Sequence, residues 1–273
     1  MKLFDHCYIV FPHAKTLFEI TTDCNELYDK LQIYYGEIFY KKITNRLNCA
    51  VKTINYFNGE LSTPTTIVSK VLNNTDLALS EILRYIRNNL CLEKAFNSYH
   101  ASCVKIEDKT VMLVGGTSSG KTTLTAFLSY CPNATIISED ITIVNYNDCS
   151  VSLLHRPLFL RINSYKLLSD DYNIDFKIPR FVTYSGSERV VVKDVERCLL
   201  EEAKLTAILF LKLDKDLQQT KEINGFESLL ENSYSNFDFH KNVCSALSLT
   251  RRVPSFNFNY YNLEDAYEVI KEI

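Results

Sequence analysis

The chain has 273 residues, of which 46% are apolar and 23% charged, and this is the composition of an ordinary globular protein. Its 30 basic and 33 acidic residues give a net charge of −3, which provides no electrostatic case for a nucleic-acid or membrane partner. No apolar run approaches the roughly 20 residues that span a bilayer, and the N-terminus lacks the features of a signal peptide. We therefore expect a cytoplasmic protein.

The first region, residues 1–97, is predicted to be a smaller α/β region that serves as a scaffold or as a cover on the substrate side. Residues that favour β-structure alternate with stretches of helical apolar spacing, but no chemical motif occurs. Asp76 is the expected N-cap of the second helix. The predicted strands are 7–11, 17–20, 50–57 and 65–71, and the predicted helices are 25–38 and 76–92.

The second region, residues 98–273, is predicted to be a larger α/β domain. Its most apolar segment, 205–213, is typical of a buried strand, and 163–188 is expected to be irregular. The predicted strands are 100–106, 110–114, 135–137, 141–145, 153–162, 189–192, 205–213 and 255–260. The predicted helices are 122–130, 225–233, 240–250 and 264–273.

One segment of this second region, 115–122, matches the phosphate-loop pattern G-x-x-x-x-G-K-[ST] at every fixed position. Glycines let the backbone fold its N–H groups around phosphate oxygens, and the following helix adds the partial positive charge of its N-terminus. Lys121 is expected to reach the β- and γ-phosphates, and Thr122 to bind Mg²⁺. The predicted nucleotide-binding residues are Gly115, Gly116, Thr117, Ser118, Ser119, Gly120, Lys121, Thr122 and Thr123.

Two adjacent acids, Glu139 and Asp140, follow the first strand after the loop helix. One carboxylate can complete a Mg²⁺ site together with Thr122, because Mg²⁺ prefers oxygen ligands. The other can accept the proton of an attacking hydroxyl. Two such neighbouring carboxylates titrate together, so the residues alone leave their roles open.

Further candidates are one histidine and three arginines. His100 begins the strand that is predicted to pair with the strand entering the loop. It is either a residue that points toward the γ-phosphate or an ordinary structural histidine. The three arginines are Arg156, Arg161 and Arg189. Each could neutralise charge on a transferred phosphoryl group, or could instead lie at the surface or in a salt bridge.

The order of these motifs resembles the HPr kinase/phosphorylase-like kinases, which are related to the phosphoenolpyruvate carboxykinases. Three segments carry the resemblance: His100-x-x-x-Val104-x-Ile106, the run 111–123 with its phosphate loop, and Ile137-Ser-Glu139-Asp140. The layout is also similar to the stand-alone tailoring kinases of peptide biosynthesis, including the lasso-peptide kinases. The resemblance implies a P-loop kinase core of the HPr kinase/phosphoenolpyruvate carboxykinase type.

The resemblance further implies an ATP- and Mg²⁺-dependent kinase for a serine-type hydroxyl. Lys121 would act on the phosphates, Glu139 and Asp140 would supply metal ligand and base, and His100 would line the phosphoryl site. Two departures from the family pattern stand out. Glu139 replaces the more usual aspartate, which bears on which of the two acids is the base. The family's Gly-rich segment is absent, since Gly186 is the sole glycine between 121 and 224, and this argues against HPr as the acceptor and against phosphorolysis.

The sequence therefore predicts a kinase that phosphorylates a hydroxyl of a peptide or protein. A kinase for a small metabolite and a non-catalytic protein that changes shape with bound nucleotide remain alternatives. The oligomeric state, including a homo-oligomer, is left open.

Overall fold

The structure is a computed structural model in which the chain divides into two compact units. The first contains Met1–Leu92 with two short later segments, and the second contains Glu93–Leu154, Leu158–Val182 and Glu188–Ile273. The described residues are 5–11, 16–36, 39–42, 49–64, 70–71, 74–91, 95–152, 157–176, 179–184, 187–192, 203–214, 219–234 and 239–273.

The first unit is built on a six-stranded sheet with the order β3-β1-β2-β4-β5-β6. β2 and β4 run parallel, and the other neighbours are antiparallel. The strands are β1 (Asp5–Phe11), β2 (Thr16–Thr22), β3 (Phe39–Tyr40), β4 (Ala50–Phe57), β5 (Glu60–Ser62) and β6 (Lys70–Val71). Of the predicted strand 65–71, residues 65–69 lie outside the described part of the chain.

Two helices accompany this sheet, α1 (Asn25–Tyr35) and α2 (Thr75–Leu90). Their apolar residues recur at helical spacing and are buried, as Leu27 and Leu31 in α1 show. The predicted helix 25–38 stops earlier because Gly36 takes a positive φ of 54° and its N–H bonds to the carbonyl of Gln32.

The expectation that Asp76 caps α2 is wrong, because Asn74 holds that position. Asn74 has an extended backbone, and its Oδ1 accepts from the N–H groups of Asp76 and Leu77 at 2.8 and 3.3 Å. Asp76 lies in the first helical turn, where its carboxylate contacts the Lys30 ammonium at 2.6 Å. The side chain of Asn74 therefore closes the helix end by satisfying donors that the helix itself leaves unpaired.

The described residues of the second unit are mixed α/β and form three sheets. Its strands are β7 (Phe96–Tyr99), β8 (Ala101–Ile106), β9 (Lys109–Val114), β10 (Ala134–Ser138), β11 (Thr142–Asn145), β12 (Ser150–Ser152), β13 (Leu158–Arg161), β14 (Arg180–Tyr184), β15 (Ser187–Val192), β16 (Ala203–Lys204), β17 (Ala207–Leu213), β18 (Gln219–Glu222) and β19 (Ser255–Tyr260). Its α-helices are α3 (Lys121–Leu128), α4 (Ile162–Lys166), α5 (Phe226–Glu231), α6 (Phe239–Arg252) and α7 (Leu263–Glu272). The last two residues of β14 and the first residue of β15 are grouped with the first unit.

The central sheet has the order β10-β8-β9-β17-β19-β18, and smaller sheets have the orders β16-β12-β11-β7 and β13-β15-β14. The predicted domain boundary between residues 97 and 98 falls inside β7, which pairs with β11. Among the described helices of the chain, none combines the length and apolarity that crossing a membrane requires.

Within the central sheet, β9 and β17 have buried side chains on both faces, which explains their nearly continuous apolar sequences. Along β9, Val111 and Leu113 pack into one apolar cluster, which also contains Leu124 of α3 and Ile270 of α7. The intervening Met112 and Val114 of the same strand pack into a second cluster, with Ala246 and Leu249 of α6. Alternate side chains of one strand therefore fix helices on opposite faces.

Four strands of the central sheet run in one direction. β9, β17 and β19 are parallel neighbours, and β10 runs the same way because it and β9 are both antiparallel to β8. The carboxyl ends of β9, β10, β17 and β19 therefore meet at one edge, together with the amino end of β8. This edge is where ligands bind in open α/β sheets.

The expectation that 163–188 is irregular is wrong. The described residues contain α4, a π-helical turn at Leu167–Asp171, the strand β14 and the start of β15. Leu168, Ile174 and Phe176 are buried in the cluster that covers α3. These short elements depend on that packing, which local sequence periodicity does not reveal.

We expect Asn74→Ala to lower the free energy of unfolding by about 1 kcal/mol, because two backbone N–H groups lose their acceptor. Urea unfolding followed by circular dichroism measures the change. Asn74→Ser is the matched control, since serine also caps helices, and it should recover most of the loss. Equal stability of the wild type and Asn74→Ala would contradict the assigned cap.

Candidate active site

The loop 115–120 joins β9 to α3, so the predicted strand–loop–helix order is present around the motif. Gly120 has a φ of 88°, and an added Cβ would overlap the buried hydroxyl of Tyr260. A Cβ on Gly115 would meet Ser119 Oγ at 2.6 Å. Ser118 also has a positive φ, 70°. The two glycines are therefore required by backbone conformation and by close packing of the loop.

Lys121 is the first residue of α3, and it is buried with only 7% of its surface exposed. Its ammonium donates to the carbonyl of Gly115, and to that of Gly116 at 3.1 Å. Burial lowers the pKa of Lys121, and the nearby carboxylates of Asp140 and Glu139 oppose this shift. The ammonium group therefore lies inside the loop, within the electrostatic range of both predicted acids.

Thr122 and Glu139, which the sequence predicts as metal ligands, are in contact. The Thr122 hydroxyl donates to Glu139 Oε1 at 2.8 Å. Glu139 is 3% exposed, and a carboxylate buried to this degree is costly unless charged or polar partners surround it. Within the described residues, no group of three or more His, Cys, Asp or Glu side chains is arranged to hold a metal. The ligands predicted from the sequence are the Thr122 hydroxyl and the Glu139 carboxylate.

His100 and Asp140 face each other where two neighbouring chain segments pass from one sheet to another. β7 continues into β8 through His100, while β10 continues into β11 through 139–141. Because β8 pairs with β10 and β7 pairs with β11, the two connections lie side by side. His100 Nε2 is 3.3 Å from Asp140 Oδ1. The predicted histidine lies just outside the strand that it was expected to begin.

The connection that carries the two acids is held by hydrogen bonds. Ser138 and Thr142 join their hydroxyls across it at 2.8 Å, and Thr142 Oγ1 donates to the carbonyl of Ala101 at 2.9 Å. Asp140 has a φ of 63°, a conformation that aspartate tolerates better than most residues. Glu139 consequently points into the protein, whereas the Asp140 side chain remains 40% exposed.

Of the three candidate arginines, Arg161 reaches the loop. Its guanidinium donates to Ser118 Oγ at 2.9 Å. Arg189 lies opposite Arg161 in the pairing of β15 with β13. Arg156 lies outside the described residues. The sequence alone could not show which arginine reaches the loop. Arg161 does so because it lies where β13 ends and α4 begins, next to Ser118 of the loop.

Three functional-site residues were missed by the sequence reasoning. Ser164 of α4 accepts from Thr123 Oγ1 at 2.8 Å, Tyr260 donates to the carbonyl of Ser119 at 3.3 Å, and Tyr234 donates to the carbonyl of Asp140 at 3.3 Å. The Tyr234 ring also lies 5.9 Å from that of His100. No local motif marks these residues, although Tyr260 ends a strand of alternating aromatic and polar residues that runs parallel to β17 toward the same edge.

No family model and no curated protein matches the chain. Among solved structures, the chain is similar to the Hpr(Ser) kinase/phosphatase from Coxiella burnetii, with a TM-score of 0.33 and 11% sequence identity, over 64% of this chain and 94% of that one.

We expect Gly120→Ala to destabilise the protein by about 1–3 kcal/mol, because alanine is strained at this φ and its Cβ overlaps the Tyr260 hydroxyl. Gly116→Ala is the matched control, since no atom lies within 4 Å of its added Cβ. Thermal unfolding measures both variants. Equal melting temperatures for the two variants would contradict the described loop geometry.

Proposed function

We propose that the chain is a phosphotransferase that uses ATP and Mg²⁺ to phosphorylate a serine-type hydroxyl of a peptide or protein. The observation that carries the proposal is the 2.8 Å contact between Thr122 of the loop helix and the buried Glu139. Such a hydroxyl–carboxylate pair at the start of a phosphate-loop helix offers the oxygen ligands that Mg²⁺ shares with nucleotide phosphates.

The loop residues fit a triphosphate. Gly115 and Gly120 leave no room for a Cβ, so the loop backbone has the close-packed, glycine-dependent form that a phosphate cradle needs. α3 begins at Lys121 and directs the positive end of its dipole toward the same place. The Lys121 ammonium donates to the carbonyls of Gly115 and Gly116. The lysine side chain is long and flexible enough for the ammonium to donate to phosphate oxygens instead when nucleotide binds.

The geometry supports different roles for the two acids. Glu139 is buried and bonded to Thr122, so we assign it and Thr122 to the metal. Bound Mg²⁺ would neutralise phosphate charge during transfer. Asp140 is partly exposed and lies beside His100, so we assign it as the base.

In the proposed reaction, Asp140 accepts the proton of the acceptor hydroxyl as that oxygen bonds to the γ-phosphorus. The bond between the γ-phosphorus and the bridging oxygen breaks, and ADP leaves. His100 orients the Asp140 carboxylate through the 3.3 Å contact. The Arg161 guanidinium, which donates to Ser118, places a permanent positive charge at the loop. This charge would stabilise the negative charge that develops on the phosphoryl group during transfer.

The peptide or protein acceptor rests on the sequence resemblance described above, including the layout of the peptide-tailoring kinases. A small-metabolite hydroxyl is the alternative acceptor, and a nucleotide-gated binding protein is the alternative without catalysis. Incubation with ATP, Mg²⁺ and serine-containing peptides, followed by mass spectrometry, separates the three. A phosphopeptide supports the proposal, phosphorylation of metabolites alone supports the second, and the absence of any product with intact ATP binding supports the third.

We expect Asp140→Asn to reduce phosphoryl transfer about 10²- to 10⁴-fold, because the amide cannot accept the hydroxyl proton. The dissociation constant of ATP should change little. Asp108→Asn, at an exposed position in the β8–β9 turn, is the matched control and should retain wild-type turnover. Undiminished transfer by Asp140→Asn would remove the proposed base.

We expect Glu139→Gln to raise the Mg²⁺ concentration that gives half-maximal activity by about tenfold or more, because a neutral amide is a weaker ligand than a carboxylate. A Mg²⁺ titration at saturating ATP measures this change. The exposed Glu272→Gln is the control. An unaltered Mg²⁺ requirement in Glu139→Gln would contradict the metal assignment.

A further inference from the structure

A cavity of about 710 Å³ opens beside the loop, on the side away from His100 and Asp140 in the strand order of the sheet. It lies at the carboxyl ends of β17 and β19, whereas the two acids follow β10. Gly120 of the loop and Thr123 of α3 form part of its wall. Its volume is within the range of small-molecule sites, about 300–1,000 Å³. The loop therefore lies between the cavity and the proposed base.

Three exposed apolar side chains line this cavity, Leu167, Leu213 and Tyr261. Tyr261 is 61% exposed and Leu213 is 49% exposed, and both line it. They are close in the sheet, because Leu213 pairs with Tyr260 across β17 and β19. An added Cβ on Gly120 would be 3.3 Å from Leu213 Cδ1, so the Leu213 side chain also reaches the loop. Together the two side chains offer exposed apolar surface beside the phosphate loop.

The charged groups of the cavity are acceptors. Asp171, Asp214 and Glu264 line it, and none of the described lining residues is lysine or arginine. Carboxylates accept hydrogen bonds and repel phosphate. This lining suits a neutral group with hydroxyl and amino donors, while the anionic part of the same ligand stays at the loop and Lys121. A purine nucleoside attached to phosphates has this division of charge.

We propose that this cavity binds the purine base and ribose of the nucleotide, with Leu213 and Tyr261 in contact with the base. The inference rests on the proposed function, because it requires the phosphates of the same ligand to bind at 115–122. The carboxylates of Asp171, Asp214 and Glu264 then accept from the ribose hydroxyls or the exocyclic amine. Tyr260 lines the cavity, and its hydroxyl donates to the carbonyl of Ser119, so this part of the cavity wall is held against the loop.

The test compares ATP with inorganic tripolyphosphate, both with Mg²⁺, by isothermal titration calorimetry. The wild type should bind ATP at least about tenfold more tightly than tripolyphosphate. Tyr261→Ala should weaken ATP binding about tenfold, because a ring contact with the base is lost, and should leave tripolyphosphate binding unchanged. Phe239→Ala removes another exposed aromatic side chain, 72% exposed, that does not line the cavity, and should alter neither affinity.

Each result decides between the two proposals. If tripolyphosphate binds as tightly as ATP, or if Tyr261→Ala binds ATP like the wild type, the cavity does not hold the nucleoside and this inference is overturned. A Tyr261→Ala variant that raises only the KM of the peptide acceptor would give the cavity to the acceptor and overturn it as well. If neither ATP nor tripolyphosphate binds the wild type, the proposed function itself fails, together with the inference.

Discussion

The common direction of β9, β10, β17 and β19 is the constraint on which the site depends. Because their carboxyl ends share one edge of the central sheet, residues far apart in the sequence meet there. The loop follows β9, the two acids follow β10, and the cavity residues Leu213 and Tyr261 lie at the ends of β17 and β19. Apolar clusters pack against both faces of β9 and β17, so the core holds the strand ends from which the loop and the cavity residues continue.

Across this edge, the site separates three kinds of chemistry. Asp140 and His100 form a partly exposed pair on one side of the loop. The central part contains Lys121 and the Thr122–Glu139 contact, where positive charge and oxygen ligands lie close together. The apolar and acidic cavity occupies the other side. In the proposed phosphotransferase, the acceptor, the metal-bound phosphates and the nucleoside would occupy these three places in the same order.

The sequence predicted best the features that depend on short motifs and on the order of the strands. The loop and the strand and helix beside it follow from fixed motif positions, and the approach of the acids to the loop follows from strand order. It could not predict that Glu139 turns inward while Asp140 stays exposed, because this depends on the positive φ of Asp140 and the Ser138–Thr142 contact. The short elements of 163–188 and the cavity were missed because they form only through long-range packing.

The central claim is that Thr122 and Glu139 hold the metal of a nucleotide bound at the loop. A crystal structure with a non-hydrolysable ATP analogue and Mg²⁺ tests it most directly. The account predicts triphosphate oxygens at the backbone of 115–122, and Mg²⁺ about 2.0–2.1 Å from Thr122 Oγ1 with the Glu139 carboxylate bound directly or through one water. A triphosphate located elsewhere, or a metal remote from both residues, would contradict the account.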